Sequence, residues 1–149
     1  MNDYLDTNAI YSFIFQDAHS VAIQRWLAES SAQLFTSDWT ETEFAALVNR
    51  RARAGGLTGA AAKTGIADFD DFVDKRSISL RLSPSVGSLS ALLARDPDLK
   101  LSAADALHLA VCAVNDCRLV TFDVRLADAA RMRGVSVAPL PRDPAPAAH

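Results

Sequence analysis

The sequence predicts an α/β domain built on a parallel sheet with helices on its faces, and three observations carry that expectation. Apolar runs of strand length alternate with segments of helical period along the chain, as in folds that return to one sheet through crossover helices. The chain has 149 residues, of which 50% are hydrophobic and 22% charged, the profile of a single soluble globular unit able to hold a sizeable core. Glycines also stand where helices should stop.

The strand-length runs fall at residues 2–5, 33–36, 77–80, 118–122 and 135–138, so a five-stranded sheet is expected. Helical stretches fall between them at 9–15, 20–30, 42–54, 59–74, 85–95, 103–114 and 124–133. Gly55 and Gly56 follow Arg50, Arg51 and Arg53, as glycine after a helix with basic residues in its last turn should. Gly134 separates the last helix from the last strand in the same way. These elements fill residues 1–140 as one domain, with no internal repeat and no room for a second. The Pro/Ala-rich tail, residues 141–149, continues a run of prolines from Pro139 through Pro141, Pro144 and Pro146; it is expected to lie outside the fold, extended or disordered.

Composition excludes several classes of protein. No stretch approaches the ~18 apolar residues that span a bilayer, and Asp3 and Asp6 stand where the basic start of a secretory signal would be. A cytoplasmic protein with no membrane association is therefore expected. The only cysteines, Cys112 and Cys117, are five residues apart, which gives neither a zinc motif nor a disulfide framework. Small apolar filler is their simplest role.

Parallel strands all point one way, so their strand-to-helix turns collect on one edge, where such folds bind ligands. Four acids belong to that edge. Asp6 closes the first strand and Asp123 the fourth. Glu43 opens the helix after the second strand, and Asp105 opens the apolar helix that feeds the fourth. Helix capping accounts for some of them singly: Thr40 with Glu43 and Ser102 with Asp105 have capping-box spacing, and Asp123 is a good N-cap. Asp6 is harder to explain so, because Thr7 and Asn8 beside it already suffice for capping.

Grouping decides what the four can do together. Two carboxylates about 4 Å apart repel by roughly 4 kcal/mol at an effective dielectric near 20, so a cluster needs raised pKa values or a cation. Hard oxygen ligands without Cys or His at metal spacing select Mg²⁺ or Mn²⁺, whose chemistry favours hydrolysis at phosphate. The net charge is −3, from 18 acidic and 15 basic residues. Setting the four acids aside leaves 14 against 15, so the acidic balance does not argue against a polyanionic substrate.

The motifs Tyr4-Leu5-Asp6-Thr7-Asn8, Glu43-Phe44, Ala104-Asp105-Ala106-Leu107-His108-Leu109-Ala110 and Thr121-Phe122-Asp123, with Ala129-Ala130 and Gly134-Val135 after them, stand in series over residues 2–138. In this order they resemble the PIN domain, in particular the VapC-type toxins of bacterial toxin-antitoxin pairs. The resemblance implies a three-layer α/β/α fold and a Mg²⁺- or Mn²⁺-dependent endoribonuclease site. It matches Asp6, Glu43, Asp105 and Asp123 to the family's acidic quartet and Thr121 to a supporting hydroxyl. It also implies an RNA substrate, a cognate antitoxin as partner and a homodimer. Glu41 competes with Glu43 for the second position; the acid followed by an apolar helix favours Glu43.

On this basis Asp6, Asp105, Asp123 and Glu43 are the expected metal ligands, with Asp6 central and Glu43 holding a second ion or a water. Thr7, Asn8 and Thr121 are expected to support them, and Arg125 to contact phosphate. His108, on a helix apolar nearly all round, is expected to be a satisfied core or interface histidine rather than a base. Trp26 and Trp39 are expected to be core or interface anchors. A Mg²⁺-dependent phosphatase or phosphoacceptor domain would also place an aspartate after the first strand, but Asn8 stands where its second acid belongs. A catalytically silent binding module is the third alternative, and it has no reason to bear four repelling acids.

Overall fold

The structure, a computed structural model, describes residues 1–141. In chain order its elements are β1 (Asn2–Leu5), α1 (Thr7–Ile14), α2 (Ser20–Glu29), β2 (Gln33–Ser37), α3 (Asp38–Arg53), α4 (Gly59–Arg76), β3 (Ile78–Leu80), α5 (Pro84–Arg95), α6 (Ala103–Asn115), β4 (Arg118–Val120) and α7 (Val124–Met132). The strands run parallel in the order β3-β2-β1-β4, which puts β1 in the interior of the sheet.

Alternation along the strands builds the three layers. Leu5 and Val120 face one way, into a core shared with α1, α2, α3 and α4; Tyr4 and Leu119 face the other, into a core shared with α5, α6 and α7. Tyr4 pairs with Leu119, and Leu5 with Val120, so the β1 and β4 side chains alternate in step. The aromatic stripe of α4 is spent inside the first core: Phe69 stacks on Phe44 with centroids 4.3 Å apart, and Phe72 meets Phe13 at 5.4 Å. Trp26 is buried there as well.

The expected fifth strand is a correction. Residues 135–138 make a single parallel bridge, Leu119 to Val137, with Leu119 N donating to Ser136 O and Ala138 N to Leu119 O, both at 2.8 Å. Pro139 and Pro141 follow, and proline has no N–H with which to extend a ladder. The described sheet is therefore four-stranded. The tail expectation concerns residues 142–149 for its greater part, which lie outside the described residues.

Three element boundaries matter for the site. α1 starts at Thr7 and α3 at Asp38, each earlier than the sequence pattern suggested, and β4 stops at Val120. The thiols of Cys112 and Cys117 are free and buried, in keeping with a filler role. No helix among the described residues is long and apolar enough to cross a membrane.

Candidate functional site

Asp6 leaves β1 directly into α1 and is that helix's N-cap: its Oδ1 accepts from Ala9 N at 2.8 Å. The expectation that Thr7 and Asn8 would cap α1 is thus corrected. Thr7 is buried in the first turn and Asn8 is exposed beside it. The other Asp6 oxygen accepts from Thr121 Oγ1 at 2.5 Å. Only 3% of Asp6 is exposed.

Thr121 stands just past β4, and its hydroxyl also accepts from Asp123 N at 3.0 Å. Asp123 is the N-cap of α7, its Oδ1 accepting from Arg125 N at 2.9 Å and Leu126 N at 3.2 Å. Arg125 itself is exposed on the first turn of that helix. Asp105 lies in the first turn of α6, where its N–H donates to Ser102 Oγ at 3.1 Å.

Glu43 differs from the other three acids. The N-cap of α3 is Ser37, which accepts from Thr40 N at 3.2 Å, so the Thr40–Glu43 capping box expected from spacing does not form. Glu43 lies in the second turn of α3 and does no capping work. Instead its Oε1 lies 2.7 Å from His108 Nε2, whose ring also lies 3.2 Å from Thr7 Oγ1. Glu41, the competitor for this role, turns to the β3 edge, where it accepts from Ser79 Oγ at 3.0 Å.

The electrostatics show that the acids of these separate segments act on one another. Burial raises the Asp6 pKa, and the charge of Glu43 adds to the rise; His108, Thr121 and the Ala9 N–H offset part of it. Asp105 is raised by burial, with Ser102 and His108 opposing and the charges of Asp123 and Glu43 reinforcing. Burial also works to raise Glu43, but the His108 hydrogen bond and charge, the Thr7 hydroxyl and Arg50 outweigh it and leave its pKa lowered. Like charges that hinder each other's ionisation are relieved by a cation.

The donor set fits a hard divalent ion. Four carboxylates, two of them raised by burial and by neighbouring negative charge, offer oxygen only. Among the described residues no group of three or more His, Cys, Asp or Glu side chains forms a ready cage for a metal. An ion at this edge would draw on these carboxylates together with water, as Mg²⁺ commonly does.

Two residues of the site escaped the sequence reading. His108 was expected to be a core or interface histidine, and it is buried, yet it contacts Glu43. Tyr4, read only as part of a strand, hydrogen-bonds the other nitrogen of the same ring. The spacing of Asp105 and His108, three apart on one helix and therefore neighbours on its surface, was the available signal for the first.

A family model described as PIN domain matches residues 4–132. No curated protein sequence matches the chain. Among solved structures, VapC20 of Mycobacterium tuberculosis, a sarcin-ricin loop cleaving toxin, is similar with a TM-score of 0.70 and 20% identity, over 85% of this chain and 94% of that one. VapBC2 from Rickettsia felis, bound to a DNA fragment from its promoter, also gives 0.70, with 15% identity over 95% of this chain and 100% of that one. FitAcB from Neisseria gonorrhoeae gives 0.65 and 19% identity, over 91% and 95%. At these identities the structural likeness speaks for the fold.

Proposed function

The chain belongs to the PIN-domain family, and from that premise we propose that it is a Mg²⁺- or Mn²⁺-dependent endoribonuclease acting as the toxin of a toxin-antitoxin pair. The observation that carries the proposal is the convergence of four acids from distant segments at a single sheet edge: the charge of Glu43 raises the pKa of both Asp6 and Asp105, and that of Asp123 adds to the rise at Asp105. An isolated cap has no such neighbours.

Asp6, Asp105, Asp123 and Glu43 would hold the ion, which supplies Lewis acidity at the phosphoryl oxygen and a water of lowered pKa. Thr121 fixes one oxygen of Asp6 and the N–H of Ala9 fixes the other, so this carboxylate has one orientation before anything binds. The same Thr121 oxygen receives the Asp123 N–H and sets the start of α7. Asn8 and Arg125, both exposed on first turns at this edge, would meet the substrate: Asn8 by hydrogen bonds and Arg125 by neutralising a phosphate.

The partners proposed are an RNA substrate, a cognate antitoxin protein and a second copy of the chain, acting in the cytoplasm. Relatives solved as VapBC assemblies support the antitoxin. Residues 1–140 form the nuclease domain in this proposal.

The test is cleavage of purified cellular RNA by wild-type protein and by Asp6→Asn and Asp105→Asn, in Mn²⁺ or Mg²⁺ and in EDTA. Wild type is expected to cut only with metal, and both variants to lose the activity. Equal cutting by Asp6→Asn and wild type would overturn the proposal, as would release of phosphate from a small ester with RNA left intact.

A further inference from the structure

Tyr4 and His108 have no part in the four-acid scheme, yet they are buried at 0% and 2% exposure against the edge where the acids gather. Tyr4 Oη lies 2.8 Å from His108 Nδ1, 2.8 Å from Ser37 Oγ and 3.0 Å from Thr40 Oγ1. The Nε2 end of the ring faces Glu43 Oε1 at 2.7 Å and Thr7 Oγ1 at 3.2 Å.

A donor count orients this chain of bonds. A phenol has one proton to give and two lone pairs to fill. The Ser37 and Thr40 hydroxyls can fill the lone pairs of Tyr4 Oη, which frees its proton for Nδ1 and leaves the ring hydrogen on Nε2. That hydrogen points at a carboxylate, which only accepts. The opposite tautomer would set a nitrogen lone pair against Glu43, so the carboxylate end of the ring selects the Nε2–H form and the Tyr4 hydroxyl is able to complete it.

Glu43 is also the acid that most needs such a hold. Asp6 and Asp123 are short side chains pinned by the backbone N–H groups of the helices they cap. Glu43 has one more rotatable bond and stands inside α3, where no free N–H is within reach of its carboxylate.

We propose that Tyr4 and His108 are positioning residues, a buried relay that locks the Glu43 carboxylate into the orientation in which it receives the divalent ion. The inference rests on the nuclease reading of the acidic edge and adds to it a source of preorganisation on the face of the sheet that Tyr4 occupies. Partners that orient a metal's ligands typically contribute 10- to 100-fold in affinity.

The test has two arms. In metal-free wild-type protein at pH 8, long-range ¹H–¹⁵N correlation spectra are expected to show His108 as the Nε2–H tautomer. Mn²⁺ titration is then expected to give an affinity about tenfold weaker or more for Tyr4→Phe and His108→Leu. His108→Gln, whose amide N–H reaches the Nε2 position, is expected to keep most of it. Thermal melts identify any variant that has lost its fold, and Tyr4→Phe and His108→Gln are the mildest changes available. An Nδ1–H tautomer, or Mn²⁺ binding by folded His108→Leu or Tyr4→Phe equal to wild type, overturns the relay and leaves the nuclease reading standing. Wild type with the Nε2–H tautomer that binds no Mn²⁺ overturns the nuclease reading, and the positioning role falls with it.

Discussion

Thr121 donates its hydroxyl proton to Asp6 across 115 residues of sequence, at 2.5 Å. The bond ties the end of an interior strand to the segment after its neighbour and leaves Asp6 buried with a raised pKa. The sign of its effect on stability follows. A carboxyl whose folded pKa lies above the unfolded value near 3.9 contributes stability below that value and loses it as pH rises through the folded pKa. Without metal, Asp6 therefore supports the fold less as the pH rises from acid toward neutrality.

Asp6→Asn should accordingly stabilise the metal-free protein while abolishing cleavage, because Asn caps a helix about as well as Asp. In EDTA its melting temperature is expected to match wild type near pH 4 and to rise above it toward pH 7. Its cleavage rate should fall by about 10²- to 10³-fold, the scale of removing one electrostatic group from a reacting centre. A variant less stable than wild type at pH 7 would count against the raised pKa.

Metal affinity should fall as the solution is acidified. Asp6 and Asp105 both have raised pKa values, and an ion must displace their protons. Mn²⁺ titrations at pH 5 and at pH 8 are expected to show the tighter binding at pH 8. At 100 times the dissociation constant the ion should add about 2.7 kcal/mol of stability, removable with EDTA.

Glu41 and Glu43 should separate cleanly. Glu43 contacts buried His108, whereas Glu41 is exposed and bonded to Ser79. Glu43→Gln is expected to lose cleavage and Glu41→Gln to retain it, at unchanged melting temperature for the latter. Comparable losses in the two would remove Glu43 from the site.

At the start of the same strands, Asp3 is fully buried and receives a two-pronged bond from Arg118, Nε to Oδ1 and Nη2 to Oδ2, each 2.8 Å. Arg118→Met strands a buried charge and should cost about 3–5 kcal/mol. The double change Asp3→Leu with Arg118→Met should recover most of that. Denaturant melts of wild type, Arg118→Met, Asp3→Leu and the double variant form the cycle that checks it.

Gly65 on α4 is pressed by the ring of Phe15: an added Cβ would stand 2.0 Å from its Cζ. Phe15 is itself stacked on Tyr11 with centroids 4.7 Å apart, so the ring has little room to yield. Alanine would favour the helix by about 1 kcal/mol, yet overpacking of about 1–3 kcal/mol should outweigh it. A higher melting temperature for Gly65→Ala would show that Phe15 moves aside.

Much of this was legible in the sequence because it is local. Alternation of apolar runs with helical periods placed the seven helices and four of the strands, and strand-end acids placed Asp6 and Asp123 at the sheet edge. The missing fifth strand shows where local pattern stops: residues 135–138 have strand composition, but ladder formation depends on the neighbour and on the prolines that follow. The start of α3 was missed for a related reason. Ser37 is the cap, and polar Asp38, Thr40 and Glu41 hid the first turn from an apolar-periodicity criterion.

By itself the sequence determined the layered α/β plan and the acidic motifs, since both are written in spacing along one chain. Only the tertiary structure decided that Glu43 is held by His108, and His108 by Tyr4. Those contacts join residues 65 and 104 apart, and hydrogen bonds over such separations exist only after the helices have packed on the sheet and excluded the water that would otherwise satisfy them.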